Sequence, residues 1–188
     1  NYSDISLDAN TWFGTLAVDI FSTTAENITM KANTTFNNIT SEGNGLTVYT
    51  GNIFGRTNAQ CVVKNCVNDG AVETLNTCNF GLTSANGIPS ATVYTGGIVG
   101  YSRCPMENCT NNGAVTGTAG GVGGIVSMSA ADIESCKNYG AVTANGASVG
   151  GIVAEQQNAV SPRRSDPGAP AYRRAPQRHG FQWPHTAF

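Results

Sequence analysis

The sequence predicts an all-β chain wound as a parallel β-helix (β-solenoid), and three observations carry that expectation. A phrase opening on Gly-Gly-Ile-Val and closing on Cys-x-Asn-x-Gly-Ala-Val recurs, with its openings at Gly96, Gly123 and Gly150 spaced 27 residues apart. A fixed step in this range is the signature of stacked structural units. Within one period the apolar patches run only about three to five residues and are rich in β-branched side chains, which suits short strands. No window shows the sustained three-and-four apolar spacing of a helix.

Each part of the phrase has a physical role. The fullest copy runs Gly96-Gly97-Ile98-Val99, then Met106-Glu107-Asn108-Cys109-Thr110-Asn111-Asn112-Gly113-Ala114-Val115. The next runs Gly123-Gly124-Ile125-Val126, then Ile133-Glu134-Ser135-Cys136-Lys137-Asn138-Tyr139-Gly140-Ala141-Val142. A looser copy comes earlier, as Gly51-Asn52-Ile53-Phe54, then Val63 to Val72. The three apolar patches of a period predict three strands and three turns per coil, with coils stacked about 4.8 Å apart. Parallel crossovers are overwhelmingly right-handed, so a right-handed coil of about 27 residues is expected.

Stacking then dictates interior columns. Ile98, Ile125 and Ile152 should lie above one another, as should Val63, Met106 and Ile133, and Val72, Val115 and Val142. Cys66, Cys109 and Cys136 are small enough to fill a narrow coil. Asn68, Asn111 and Asn138 can form an amide ladder that satisfies the backbone at a corner. Gly70, Gly113 and Gly140 are expected to supply a backbone conformation that a Cβ would penalise.

The flanks depart from this grammar. Residues 1–50 read as one or two irregular capping coils, with Gly14-Thr15-Leu16-Ala17 echoing the repeat opening and Trp12, Phe13, Phe21 and Phe36 covering the end. Residues 51–160 are the repeat array, interrupted by a 23-residue spacer between Val72 and Gly96 that forms a loop or an irregular coil. The fourth copy stays in register to Val160, after which Arg163 stands where Cys is due. Residues 161–188 hold five of the seven prolines, five arginines and both histidines. Two readings of this tail stand: an out-of-frame or vector-derived extension, or a basic, proline-extended tail that binds an anionic partner. The start at Asn1 without Met suggests a processed protein or an excised fragment. The sequons at Asn27, Asn33, Asn38 and Asn108 are read as coincidental in a chain rich in Asn and Thr.

The residues of 96–100 and 108–115 resemble the GLUG repeat, a family named for its Gly-Gly-Leu-Val-Gly opening. The resemblance covers about 51–160. It implies a large secreted or cell-surface bacterial protein, of the kind found in gut Bacteroidales and beside the catalytic regions of some IgA-cleaving proteases. It also implies that the repeats serve as stalk or adhesive modules.

Composition agrees with a polar, sparsely charged exterior: 12% of residues are charged and 23 are glycine. The net charge of −2 conceals a split, since residues 1–160 carry five basic and eleven acidic groups while the tail carries five Arg and one Asp. The array therefore has no electrostatic call on nucleic acid. No apolar stretch is long enough to span a membrane, so no membrane insertion is expected. The six cysteines suit one or two disulfides at most, with Cys61–Cys104 and Cys66–Cys78 as candidates, or serve as small apolar filler. No Cys-x-x-Cys spacing points to zinc, and no cofactor is implied.

A search for catalysis finds little. Glu107 and Glu134 stack one coil apart, which suits a solvated edge more than a catalytic carboxyl pair. Arg56 and Arg103 are not expected to have acidic partners. The serines lack a histidine outside the tail. The expectation is a non-enzymatic module, extracellular or on a cell surface, that spaces or presents an adhesive face to a glycan or host protein. Tyr94, Tyr101, Thr110, Lys137 and Tyr139 are the candidate contacts. The alternative is an accessory segment of a larger secreted protease or polysaccharide-active enzyme.

Overall fold

The structure, a computed structural model, describes residues 2–7, 9–41, 46–75, 91–118, 120–144 and 148–157. Every regular element among them is a strand, and every strand pair is parallel. After β1 (Tyr2–Leu7), the first full coil runs through β2 (Thr11–Gly14), β3 (Ala17–Ile20), β4 (Thr24–Glu26), β5 (Thr29–Met30) and β6 (Thr34–Ser41). The second comprises β7 (Leu46–Gly51), β8 (Phe54–Thr57), β9 (Val62–Lys64), β10 (Val67–Asn68) and β11 (Val72–Leu75). The third comprises β12 (Ala91–Gly96), β13 (Val99–Ser102), β14 (Met106–Glu107), β15 (Thr110–Asn111) and β16 (Val115–Gly117). The fourth comprises β17 (Gly121–Gly123), β18 (Val126–Ser129), β19 (Ile133–Glu134), β20 (Lys137–Asn138) and β21 (Val142–Ala144), and β22 (Ser148–Gly150) and β23 (Val153–Gln156) open a fifth.

Stacking these coils makes five sheets, ordered β1-β6-β11-β16-β21, β2-β7-β12-β17-β22, β3-β8-β13-β18-β23, β4-β9-β14-β19 and β5-β10-β15-β20. The chain is thus a parallel β-helix. The 27-residue step carries Val99 to Val126 to Val153 in strict register. Earlier steps are longer: Phe54 pairs with Val99, and Ala17 with Phe54. The surplus between the second and third coils falls mostly between Leu75 and Ala91, and the spacer residues 76–90 lie outside the described residues, as do Cys78, Val160 and the tail 161–188.

Five strands per coil replace the three expected. The Ile133-to-Cys136 segment is one reason: it holds only the two-residue β19 before a corner. That corner is set by backbone in the left-handed region at Asn27 (φ 58°), Asn65 (54°), Asn108 (52°) and Ser135 (53°), one above another in successive coils. Asn visits this region more readily than other residues with a side chain, which explains its place immediately before Cys66 and Cys109. Past the corner lie β10, β15 and β20, two-residue strands that begin immediately after the cysteine.

The N-terminal residues build a coil of the same five-strand design. Thr15 and Leu16 stand where the second coil has Asn52 and Ile53, and Gly14 and Ala17 pair with Gly51 and Phe54. Phe36 is fully buried, with Phe13 packed on it at 5.7 Å between ring centroids, whereas Phe21 is exposed.

The interior divides in two. One cluster gathers Ile53, Phe54, Val63, Cys66, Ile98, Val99, Met106, Cys109, Ile125 and Val126; the other gathers Phe36, Val48, Val72, Val93, Val115 and Val122. Each such aliphatic side chain contributes about 1.5–3 kcal/mol when taken fully from water. The asparagine ladder reaches across the coil to the Gly-Gly corner, where a Cβ on Gly97 would lie 2.8 Å from Asn111 Cγ. Asn68 Nδ2 donates to Asn111 Oδ1, and Asn111 Nδ2 to Asn138 Oδ1, each at 2.7 Å. The side-chain nitrogens of Asn68, Asn111 and Asn138 also donate to the carbonyls of Gly70, Gly113 and Gly140, respectively, at 2.7–2.8 Å.

The glycine column has a different cause from the one expected. None of Gly70, Gly113 and Gly140 has positive φ. A Cβ at Gly113 would instead run into the Gly70 carbonyl of the coil before it, and one at Gly140 into that of Gly113. Close backbone approach between coils selects glycine here, not turn geometry.

The Cys61–Cys104 expectation is also corrected, while Cys66–Cys78 involves Cys78, outside the described residues. Cys61, Cys66, Cys104, Cys109 and Cys136 are all free thiols. Cys61 and Cys104 occupy equivalent places, yet each sulfur is engaged elsewhere: Cys61 Sγ donates to the Ile20 carbonyl at 3.2 Å and Cys104 Sγ to Thr57 Oγ1 at 3.1 Å. Cys66 is buried inside the coil beside Cys109.

Candidate ligand-binding face

Two outward columns on adjacent sheets converge on one surface. Trp12, Tyr49 and Tyr94 are register partners on β2, β7 and β12. Asp19, Arg56, Tyr101, Met128 and Glu155 are register partners on β3, β8, β13, β18 and β23. Side chains of one column touch those of the other, so the outer faces of the two sheets turn toward each other. The fold thereby builds an inward-angled band along the coil axis.

The band is ordered by ring stacking. Tyr49 lies between Tyr94 and Tyr101, with centroids 5.1 Å apart on both sides and interplanar angles of 17° and 24°. Offset stacks of this kind contribute about 0.5–1.5 kcal/mol beyond the area they bury. Tyr49 Oη reaches Met128 Sδ at 3.6 Å, and Tyr101 Oη donates to Gln157 Oε1 at 2.8 Å. Burial, with Tyr94, Tyr101 and Glu155 nearby, pushes the Tyr49 phenol up to about 12. Tyr94 is raised as well, by burial first and then by the Glu155 carboxylate near its hydroxyl.

At the N-terminal end of the band Arg56 lies 4.0 Å over the Trp12 ring, a cation–π contact, while its Nε donates to Asp19 Oδ2 at 2.7 Å. The expectation that Arg56 lacks an acidic partner is therefore overturned. Trp12 Nε1 and Asp19 Oδ1 are buried without a hydrogen-bond partner.

The five expected contacts do not form one site. Tyr94 and Tyr101 belong to the band. Thr110 and Lys137 pair side by side on the sheet containing β15 and β20, and Tyr139 stands alone, 71% exposed. Trp12, Tyr49, Arg56, Met128 and Glu155 went unselected in the sequence. One signal was present: Thr47-Val48-Tyr49-Thr50-Gly51 recurs as Thr92-Val93-Tyr94-Thr95-Gly96.

Elsewhere, Glu107 stacks on Glu134 on one side and on Lys64 on the other. Lys64 bonds Glu26 at 2.8 Å, which raises its ammonium above the ordinary lysine value. Among the described residues no group of three or more His, Cys, Asp or Glu is placed to hold a metal ion, and no helix is long and apolar enough to cross a membrane. No family model, curated protein or solved structure matches the chain.

Proposed function

We propose that the chain is a non-catalytic repeat module of a secreted or cell-surface protein, with the solenoid as a stalk and the tyrosine band as the face that contacts a glycan or a host surface protein. The observation that carries this reading is the Tyr94–Tyr49–Tyr101 stack flanked by Arg56, Trp12, Glu155 and Gln157. Tyr49 stacks against both Tyr94 and Tyr101, which orders the three rings. The stack and its flanks combine phenol hydroxyls, an amide and acidic and basic side chains, which match the mixed donors and acceptors of sugar hydroxyls. The resemblance to GLUG repeats and the sparsely charged composition support an extracellular setting.

The test is a glycan array, with a panel of host surface proteins, probed with the full chain and with Tyr94→Phe and Tyr101→Phe. These variants keep the rings and remove only the hydroxyls. Each should weaken binding about fivefold, the equivalent of one hydrogen bond of about 1 kcal/mol. Absence of any ligand on both panels would remove the adhesive part of the reading, and equal binding by the variants would move the site off the band.

A further inference from the structure

We propose that Cys109 and Cys136 are a redox-active pair that a low-molecular-weight disulfide closes into an inter-coil bridge, leaving Cys66 as a thiol. The three cysteines stand in one column on consecutive coils, immediately before β10, β15 and β20, whose residues pair in register. Coils stacked about 4.8 Å apart place such neighbours within the Cα separation of about 4.4–6.8 Å that a disulfide requires. Cys136 Sγ lies 3.4 Å from the Cys109 backbone nitrogen. Because Cys109 is flanked by a thiol on each side, it can bond to only one of them, and the column must choose.

Access decides the choice. Cys66 and Cys109 are fully buried, whereas Cys136 is partly open. It sits between β19 and β20, the last strands of their sheets, so no described strand covers it. Hydrogen bonding from Cys109 draws both Cys136 and Cys66 below the ordinary thiol value, favouring the thiolate at each, so exposure alone singles out Cys136. Cys109 is raised, first by that same hydrogen bond to Cys136. Once Cys136 is in a mixed disulfide the largest of the causes that raise Cys109 is removed, leaving burial and the Cys66 contact.

The step balances as thiol–disulfide exchange. Cys136 thiolate attacks one sulfur of a small disulfide such as oxidised glutathione, forming a mixed disulfide and expelling one glutathione thiolate. Cys109 thiolate then attacks Cys136 Sγ and expels the second. The two protein thiols lose two protons and two electrons, and the small disulfide is reduced to two thiols. The bridge ties the last complete coil to its neighbour.

The test is incubation of the full chain with oxidised glutathione, alkylation, and digestion with a Glu-specific protease. Cleavage after Glu73, Glu107 and Glu134 puts Cys66, Cys109 and Cys136 on separate peptides. The expected result is a loss of two hydrogens in the intact mass, a cross-link between peptides 108–134 and 135–155, and alkylated Cys66. Cys66→Ser should retain the cross-link, Cys136→Ser should abolish it, and the oxidised chain should melt higher. A bridge between Cys66 and Cys109, glutathione persisting on Cys136, or no reaction at Cys136 would each overturn the proposal.

Discussion

Asn52 Nδ2 donates to Asn68 Oδ1 at 2.7 Å and so supplies the first rung of the amide ladder from a position that the repeat otherwise gives to glycine. The coil beneath Asn68 has Met30 at the ladder position, which offers no amide. Asn52 fills that need from the opposite corner of its own coil. It also donates to the Ala32 carbonyl at 2.9 Å and accepts from Thr34 Oγ1 at 2.6 Å.

Restoring the repeat's own residue at this position should therefore be harmful. Asn52→Gly removes the donor to a buried oxygen and the acceptor of a buried hydroxyl, and about 2 kcal/mol of stability should be lost. Chemical denaturation read by circular dichroism would measure it. An unchanged midpoint would mean that the ladder needs no terminal rung.

Ser135 invites the opposite change. It holds φ at 53° where the three coils before it have Asn, and a side chain in this region costs about 1–2 kcal/mol. Ser135→Gly should raise stability by about 1 kcal/mol and shift the thermal midpoint upward, while Asn108→Ala should lower it. A lower midpoint for Ser135→Gly would place the strain elsewhere.

These two positions illustrate what was legible in the sequence. Stacking forces equivalent positions to satisfy equivalent neighbours, so the Ile98, Asn111, Cys109 and Val115 columns could be recognised from repetition alone. The strand count could not, because two-residue strands beside a left-handed corner carry no alternation. The tyrosine band was mostly hidden for a different reason. Tyr49 and Tyr94 are register partners 45 residues apart, and Asp19 and Arg56 are partners 37 apart, so a search at the 27-residue step passes over both. Met128 and Glu155 do keep the 27-residue step after Tyr101, but their chemistry differs, so repetition gives no hint of a column.

Close approach between coils makes Gly113 hard to replace. In Gly113→Ala the new methyl meets the Gly70 carbonyl, a backbone atom that cannot rotate away. The third coil would have to lift from the second, breaking the adjacent hydrogen bonds from Asn112 and Gly113 to the Asn68 carbonyl. The expected cost is about 3 kcal/mol or more, seen as a lowered denaturation midpoint or loss of soluble protein. An alanine variant as stable as the parent would show that the coils are spaced more loosely than the ladder distances imply.

The tyrosine band should make the fold sensitive to alkali. An unfolded tyrosine ionises near 10, whereas Tyr49 is held protonated to about 12 by burial between its neighbours. The folded chain thus binds the proton more tightly, and the stability this contributes is intact below pH 10 and lost as pH rises through 12. The loss should reach about 2 kcal/mol, smaller to the extent that solvent screens the partly buried ring. Tyr49→Phe removes the ionising group while keeping the stack with Tyr94 and Tyr101, and should flatten the decline. Denaturation midpoints of parent and variant between pH 9 and pH 12 would measure the difference. Parallel declines would assign the alkaline sensitivity to other groups.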